Sequence, residues 1–387
     1  MTTEVKKQEE PEIVNIPSSN RALATIRRVA EKRPIEGADR IEAVRIDGWW
    51  VVSQKHLYKV GDLVVYFEID SWIPHEIAPF LTREGKEPKD YNGVPGQRLK
   101  TIRLRGQLSQ GLILPLTDVK LANAKEGDNV TEALNIQLWE KPVPAQLRGQ
   151  VKGSFPTHII PKTDQERIQN IPKILEDQDT AYEITVKYDG TSLTVFFSEE
   201  LGPGICSRNI RFKVNEQNKQ NNLYVKTALN TGLYDAVVQY YELTGRQIAV
   251  QAEIVGPKIQ DNRMHFEDTK VIVFDIWDIN KQEYLLPLDR LMTILTLQDF
   301  FNAWIYLAEV FENYKPLTSY NLRNLQIKTV EDIIAFAEKP KDFNQDFEGM
   351  APYRKDDCIL EGFVFKAFDG SKSFKVINNN YLLKYGG

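Results

Sequence analysis

Apolar and polar residues follow two different rhythms along this chain, and the change falls near Phe155. From about residue 21 to 116 the apolar positions come in short runs. Ala22, Thr25, Ile26, Arg28 and Val29 open an alternation that residues 43–46 continue. Trp49, Trp50, Val51 and Val52 follow a turn at Gly48, and Val60-Gly61-Asp62 turns tightly into residues 63–67. Residues 82–96 read as a long polar loop, and residues 99–105 again alternate at strand period. Several short strands at this spacing predict a small barrel of the OB type.

Residues 117–152, with Pro142, Pro144 and Gly149, look like a connector. Beyond them strands alternate with helices. Strands are expected at 181–186, 191–197, 248–254, 271–276 and 360–367. Residues 288–311 are apolar at helical period and predict a long helix. A shorter one is expected over 330–337, with Thr329 as its N-cap. This second part reads as a mixed α/β or α+β domain.

Composition narrows the class. Hydrophobic residues make up 42% of the chain and charged residues 27%, which suits a globular protein with a real core. The two cysteines, Cys206 and Cys358, lie far apart. They argue against a disulfide framework and for a reducing, cytoplasmic setting. Two cysteines and four scattered histidines give no zinc-site spacing. No apolar run approaches the ~20 residues of a membrane helix, so no membrane partner is expected. The polar start, MTTEVKKQEEPE, lacks the apolar core of a signal peptide and reads as a disordered tail over residues 1–17. A net charge of −5 leaves nucleic-acid binding open, because what matters is whether positive charge gathers on one face.

The candidate chemistry centres on Lys187. It ends a β-rich run and precedes Tyr188-Asp189-Gly190. A strand ending in Lys-x-Asp-Gly sets an amine beside a carboxylate on a tight turn, where Gly190 allows a backbone conformation that other residues resist. A lysine becomes a nucleophile only after losing its proton, which burial, nearby cations or a metal promote. Alone, this pattern is as consistent with an ordinary solvated lysine. Five further segments follow it: Cys206-Ser207-Arg208-Asn209, residues 251–257 around Glu253, residues 273–277 around Phe274, residues 360–366 around Glu361, and residues 373–377 around Lys375.

In this order, the six segments resemble motifs I, Ia, III, IIIa, IV and V of the covalent nucleotidyltransferases, which comprise ATP-dependent DNA and RNA ligases and mRNA capping enzymes. The strand-rich module precedes Lys187, and the sequence ends soon after motif V, as in ATP-dependent RNA ligases with an N-terminal OB module and no C-terminal domain. Residues 99–115 and 162–172 are similar to that group too. The resemblance implies an α+β fold: an N-terminal OB-type β-barrel, then a nucleotidyltransferase domain of antiparallel sheets with helices. The boundaries drawn are 1–17 for the tail, 18–140 for the OB-like module, 141–160 for a linker and 161–387 for the nucleotidyltransferase domain.

The resemblance also implies roles. Lys187 would take AMP from ATP, pass it to an RNA 5′-phosphate, and a 3′-hydroxyl would then expel it. Asp189, Glu253 and Glu361 would gather near the nucleophile and hold Mg²⁺ or Mn²⁺ through water, since a hard cation prefers oxygen and keeps its waters. Arg208 and Asn209 would contact ribose or phosphate, and Arg167 a phosphate. Phe274 would stack on adenine with Val364 on the other side. Lys375 matches the first lysine of motif V, whereas Ile377 stands where many relatives carry a second. Lys366, Lys372 and Lys384 are candidate substitutes. Arg103 and Arg105, on one face of the 99–105 strand, would grip nucleic acid backbone. The expected partner is RNA, as a nicked duplex with an RNA 3′-hydroxyl, bound by a monomer. A DNA ligase, a capping guanylyltransferase and a non-catalytic RNA-binding protein remain alternatives. Labelling with ATP or GTP and the choice of strand separate them.

Overall fold

The computed structural model describes residues 22–140, 149–307, 319–339 and 358–386. The expected tail over 1–17 and part of the expected linker lie outside these residues.

In the N-terminal module, five antiparallel strands run in the order Leu112–Pro115, Leu63–Phe67, Ala24–Pro34, Ile41–Ile46 and Trp49–Gln54. A bulge between Val29 and Glu31 bends the long strand, so its first half pairs with Leu63–Phe67 and its second with Ile41–Ile46. The alternation of side chains supplies two cores. Ala24, Ile26, Val65 and Phe67 point to one, and Val29, Val44, Val64 and Tyr66 to the other. Trp49 is buried in the second, whereas Trp50 is half-buried with the Arg33 guanidinium 3.9 Å from its ring.

Three sequence expectations change here. The polar stretch 82–96 contains Lys89–Tyr91 and the start of Val94–Arg98, a hairpin turning through Asn92 and Gly93 at φ 53 and 78. Asn-Gly favours such turns because both positions require positive φ. The strand expected over 99–105 is broken. Only Ile102–Leu104 is extended, and it pairs with Gln107–Ser109 around Arg105 and Gly106, at φ 50 and 81. Arg105 therefore lies in the turn and shares no strand face with Arg103, and Ile102 and Leu104 are exposed. The stretch read as a connector folds back on the barrel. Val130 and Ile136 are buried in its core, and Gln137–Leu138 pairs with Ser71–Pro74.

The second domain holds an eight-stranded sheet and a three-stranded one. The small sheet runs Tyr182–Lys187, Gly362–Ala367, Ser373–Ile377. The large sheet has Thr191–Ser198, Ile248–Val255 and Lys270–Asp278 at its centre, and the helices Leu233–Thr244 and Pro287–Asp299 share its core. The helix Val330–Glu338 covers the small sheet. Its Thr329 cap forms the expected capping box with Asp332. Phe336 of this helix and Phe363, Phe365 and Phe374 of the sheet are fully buried between the two, each worth about 1.5–3 kcal/mol of apolar burial.

The helix expected over 288–311 is shorter. It begins with Pro287 at its first position and ends at Asp299. Beyond it Asn302 takes φ 55, Trp304 donates its backbone N–H to Thr231, and Tyr306–Leu307 joins the large sheet in parallel. The apolar run that suggested a longer helix is a turn followed by an edge strand. Residues 308–311 lie outside the described residues. No helix among the described residues is long and apolar enough to cross a membrane.

The two parts meet closely. Gly48 donates its N–H to the Gln169 carbonyl at 2.9 Å, and a Cβ at Gly48 would lie 2.7 Å from the Gln169 Cα. The Trp49 indole N–H bonds the Asn170 amide, and Arg45 pairs with Glu331 at 3.3 Å.

Candidate active site

The segment from Lys187 to Gly190 crosses from the small sheet to the large one. Lys187 pairs in register with Gly362, which brings Glu361 beside it. Ser192 pairs with Glu253, which brings that carboxylate up from the large sheet. Gly190 lies where the sheets approach. A Cβ there would sit 2.3 Å from the Ile254 carbonyl oxygen and 2.8 Å from Glu253 Cγ. Its φ is not in the left-handed region. Space, and not the backbone freedom expected from sequence, is what requires glycine. At Gly362 both apply, with φ 154 and a Cβ position 2.0 Å from the Val376 carbonyl oxygen.

Lys187 Nζ lies 2.6 Å from a Glu361 carboxylate oxygen. Burial alone would lower its pKa, but Glu361, Glu253 and Asp189 outweigh burial and hold it above the ordinary lysine value. Glu253 is pushed up to about 8, first by burial and then by the charges of Glu361 and Asp189, against the pull of Lys187. Glu361 offsets the Lys187 ammonium and Arg263 offsets Asp189, which leaves Glu253 as a raised carboxyl that a divalent cation beside it would ionise. Among the described residues no three His, Cys, Asp or Glu side chains are grouped to hold a metal ion directly. The donor set therefore fits a hydrated ion held through its waters.

The lysine opens on a cavity of about 570 Å³, within the range of small-molecule sites. Phe274 and Val364 line part of its wall. Behind them Lys366 donates to the Phe274 carbonyl at 2.7 Å and pairs with Asp275 at 2.8 Å. Asp275 also faces Arg290 at 3.7 Å, and Arg290 bonds Glu183. Two buried cations thus balance two buried anions, as burial of charge demands.

The cavity also gathers cations. Arg167 is buried, and its Nε and Nη1 have no hydrogen-bond partner, while its Nη2 lies 3.5 Å from Asp70. An unsatisfied buried guanidinium is costly and calls for an anion. Lys375 pairs with Asp164 at 2.6 Å, and its backbone bridges to that of Arg167. Arg208 reaches Glu140 at 3.3 Å and Asp164 at 3.7 Å.

The structure brings Lys187, Glu253, Glu361, Lys375, Arg167, Arg208, Phe274 and Val364 to one cavity. Four expected residues stand off its wall. Asp189 is turned to Arg263, at 2.8 Å. Asn209 is tied to Glu140 and accepts from Lys162 at 2.6 Å. Arg103 and Arg105 lie on the exposed hairpin. Among the candidate substitutes for the missing motif V cation, only Lys366 reaches the wall. Lys372 pairs with Asp177, and Lys384 rests over the Tyr385 ring. Ile377 is buried and lines the cavity as an apolar wall.

Sequence reasoning missed part of that wall. Asp70, Arg98, Thr101 and Trp139 come from the N-terminal module, and Tyr381 and Tyr385 from the final helix, Asn379–Tyr385. Arg98 bonds Asp70 at 2.7 Å and lies 4.1 Å from the Trp139 ring, so Asp70 links Arg98 to Arg167.

Comparison with known proteins is consistent with this geometry. An OB-fold domain family matches residues 23–116, and an RNA ligase family matches residues 180–377. An apo mutant of Naegleria gruberi RNA ligase is 38% identical, covers 95% of this chain and 99% of its own, and superposes with a TM-score of 0.79. A lysine mutant of the same ligase with AMP and Mn is 38% identical over the same shares, with a TM-score of 0.78. The form with PPi gives 38%, 95%, 99% and 0.77. The search of curated proteins finds no match.

Proposed function

The chain belongs to the RNA ligase family, and from that premise we propose that it seals RNA nicks through a lysyl-AMP formed at Lys187. It is an ATP-dependent ligase that joins 3′-hydroxyl and 5′-phosphate ends. The observation that carries the assignment of Lys187 is the charge around it: one amine, three carboxylates and a cation-lined cavity.

The reaction divides into three displacements at phosphorus. The Lys187 amine forms a bond to the ATP α-phosphorus and pyrophosphate leaves. An RNA 5′-phosphate oxygen attacks the same phosphorus and the lysine leaves. The 3′-hydroxyl then attacks the RNA 5′-phosphorus and AMP leaves. Such steps need alignment and charge neutralisation more than proton transfer. As held by Glu361, Lys187 is an ammonium ion and no nucleophile. When bound, Mg²⁺ or Mn²⁺ would supply counter-charge that competes with the Lys187 proton and would steady the α-phosphate. Asp189, Glu253 and Glu361 would hold that ion through its waters. Phe274 and Val364 receive the adenine. The forked guanidinium of Arg167, with Lys375 and Arg208, receives the phosphates.

Ile377 leaves the usual lysine pair one cation short. Arg98 of the N-terminal module, which lines the same cavity and is linked to Arg167 through Asp70, would supply that cation. The module thus orients the pyrophosphate leaving group. Its exposed hairpin bears Arg103 and Arg105 and grips the RNA backbone.

The substrate is a nick in a duplex whose 3′-hydroxyl strand ends in RNA. Sealing rates on a nicked duplex with an RNA 3′ end, the same nick with a DNA 3′ end, and single strands test this. The RNA-ended nick should be sealed at least about ten-fold faster than either, and equal rates on all three would refute the substrate assignment.

A further inference from the structure

The loop joining the strand of Glu253 to the strand of Phe274 is unusually strained. Lys258, Gln260, Asp261, Asn262 and His265 adopt φ of 68, 44, 60, 48 and 56, and none of them is glycine. Left-handed backbone at such residues costs of order 1 kcal/mol each and persists only where the surroundings over-determine it. Here Asn262 accepts from the Phe266 N–H at 3.0 Å and donates to the Phe266 carbonyl at 2.8 Å. Met264 and Phe266 anchor the loop in the core that also buries Tyr188.

The strained loop presents Arg263. Its Nη1 donates to Asp189 Oδ2 at 2.8 Å and to the Tyr381 hydroxyl at 2.9 Å. Its guanidinium also lies 4.5 Å from the Tyr385 ring. Arg263 does not line the cavity, whereas Tyr381 and Tyr385 do. A side chain held by the strained loop, Asp189 and the final helix thus bears on Lys187 through Asp189 and on the cavity wall through Tyr381 and Tyr385. Without it, Asp189 would be free to turn toward the Lys187 ammonium and join Glu361 in pinning it.

We infer that Arg263 is a positioning residue: it holds Asp189 off the Lys187 ammonium and in register with the adenylylation step, with Tyr381 as the second anchor of that hold. The inference rests on the ligase reading and deepens it. The role is electrostatic and geometric, so a cation at this position should preserve it in part and a neutral amide should not.

The test is single-turnover labelling of the full chain by ATP with Mn²⁺, for Arg263→Gln, Arg263→Lys, Tyr381→Phe, Asp189→Asn and the double variant Asp189→Asn/Arg263→Gln. Loss of one charge-assisted hydrogen bond on Asp189 should slow labelling about ten-fold at saturating ATP in Arg263→Gln, with the ATP concentration for half-maximal rate changed less than about three-fold. Arg263→Lys should recover most of the loss. Tyr381→Phe should give a smaller loss of the same kind. The double variant should be no slower than Asp189→Asn alone, because Arg263 has nothing left to position. Equal losses in Arg263→Gln and Arg263→Lys, or multiplying losses in the double variant, would overturn the inference. If Arg263→Gln does not fold, the same cycle with Tyr381→Phe and Asp189→Asn decides it. Absence of label on the unmodified protein would instead defeat the ligase reading itself.

Discussion

Gly190→Ala is a small change with a calculable consequence. The added methyl would stand 2.3 Å from the Ile254 carbonyl oxygen, 2.8 Å from Glu253 Cγ and 2.9 Å from Val255 Cγ1. Ordinary contact begins near 3.4 Å, so the turn and the strand must part by about 1 Å. The backbone oxygen cannot rotate away as a side chain could. The Gly190 N–H also hydrogen-bonds to Glu253, and that bond would stretch with the turn. Overpacking of this kind costs about 1–3 kcal/mol of stability. The larger effect falls on rate, because displacing a reacting group by ~1 Å costs on the order of 100-fold. The assay is the initial rate of protein labelling by radioactive ATP, with a thermal melt alongside. Labelling should fall about 100-fold while the protein still melts cooperatively at a lower temperature. A rate within two-fold of the unmodified protein would show that contact between the sheets does not place Lys187.

Three further substitutions probe the rest of the site. Arg167→Ala should lower kcat/KM for ATP by about 10- to 100-fold in a labelling assay, and Arg167→Lys should not restore it, because the unsatisfied Nε and Nη1 form a fork that an ammonium lacks. Arg98→Ala should slow labelling by ATP about ten-fold yet leave sealing of a pre-adenylylated RNA 5′ end unchanged, since pyrophosphate has already left, and a gel of ligated product separates the two. Arg290→Ala strands Glu183 without its buried counter-charge and leaves Asp275 with Lys366 alone, so a urea melt should show about 3–5 kcal/mol of lost stability.

The site was legible in the sequence wherever a local segment carried its own chemistry. Lys187 and Glu361 sit at or beside a strand end, and Glu253 and Lys375 lie within strands, where register alone fixes the side chain. What the sequence hid depends on distance or on polar context. Asp70, Arg98 and Trp139 reach the cavity because the Gly48 turn docks on Gln169, a contact spanning more than a hundred residues of chain that no short pattern encodes. Arg263 sits in a polar loop whose left-handed backbone gives no compositional sign, apart from Asn262. Lys366, one of the three candidate substitutes read from the sequence, lies two residues beyond Val364 and shares its strand face. The hairpin at Asn92-Gly93 is hard to read from sequence because its short, mostly polar strands lack the apolar alternation that marks the others.

The most direct test of the account is covalent labelling of Lys187. The full chain should be incubated with α-labelled ATP and Mg²⁺ or Mn²⁺, with and without EDTA, and resolved on a denaturing gel beside Lys187→Ala. The raised pKa of the metal-free lysine keeps it protonated at neutral pH. The account therefore predicts an acid-labile label on the unmodified protein with metal, none with EDTA, none with GTP, and none on Lys187→Ala. Label that survives in Lys187→Ala, or no label on the unmodified protein with metal, would contradict it.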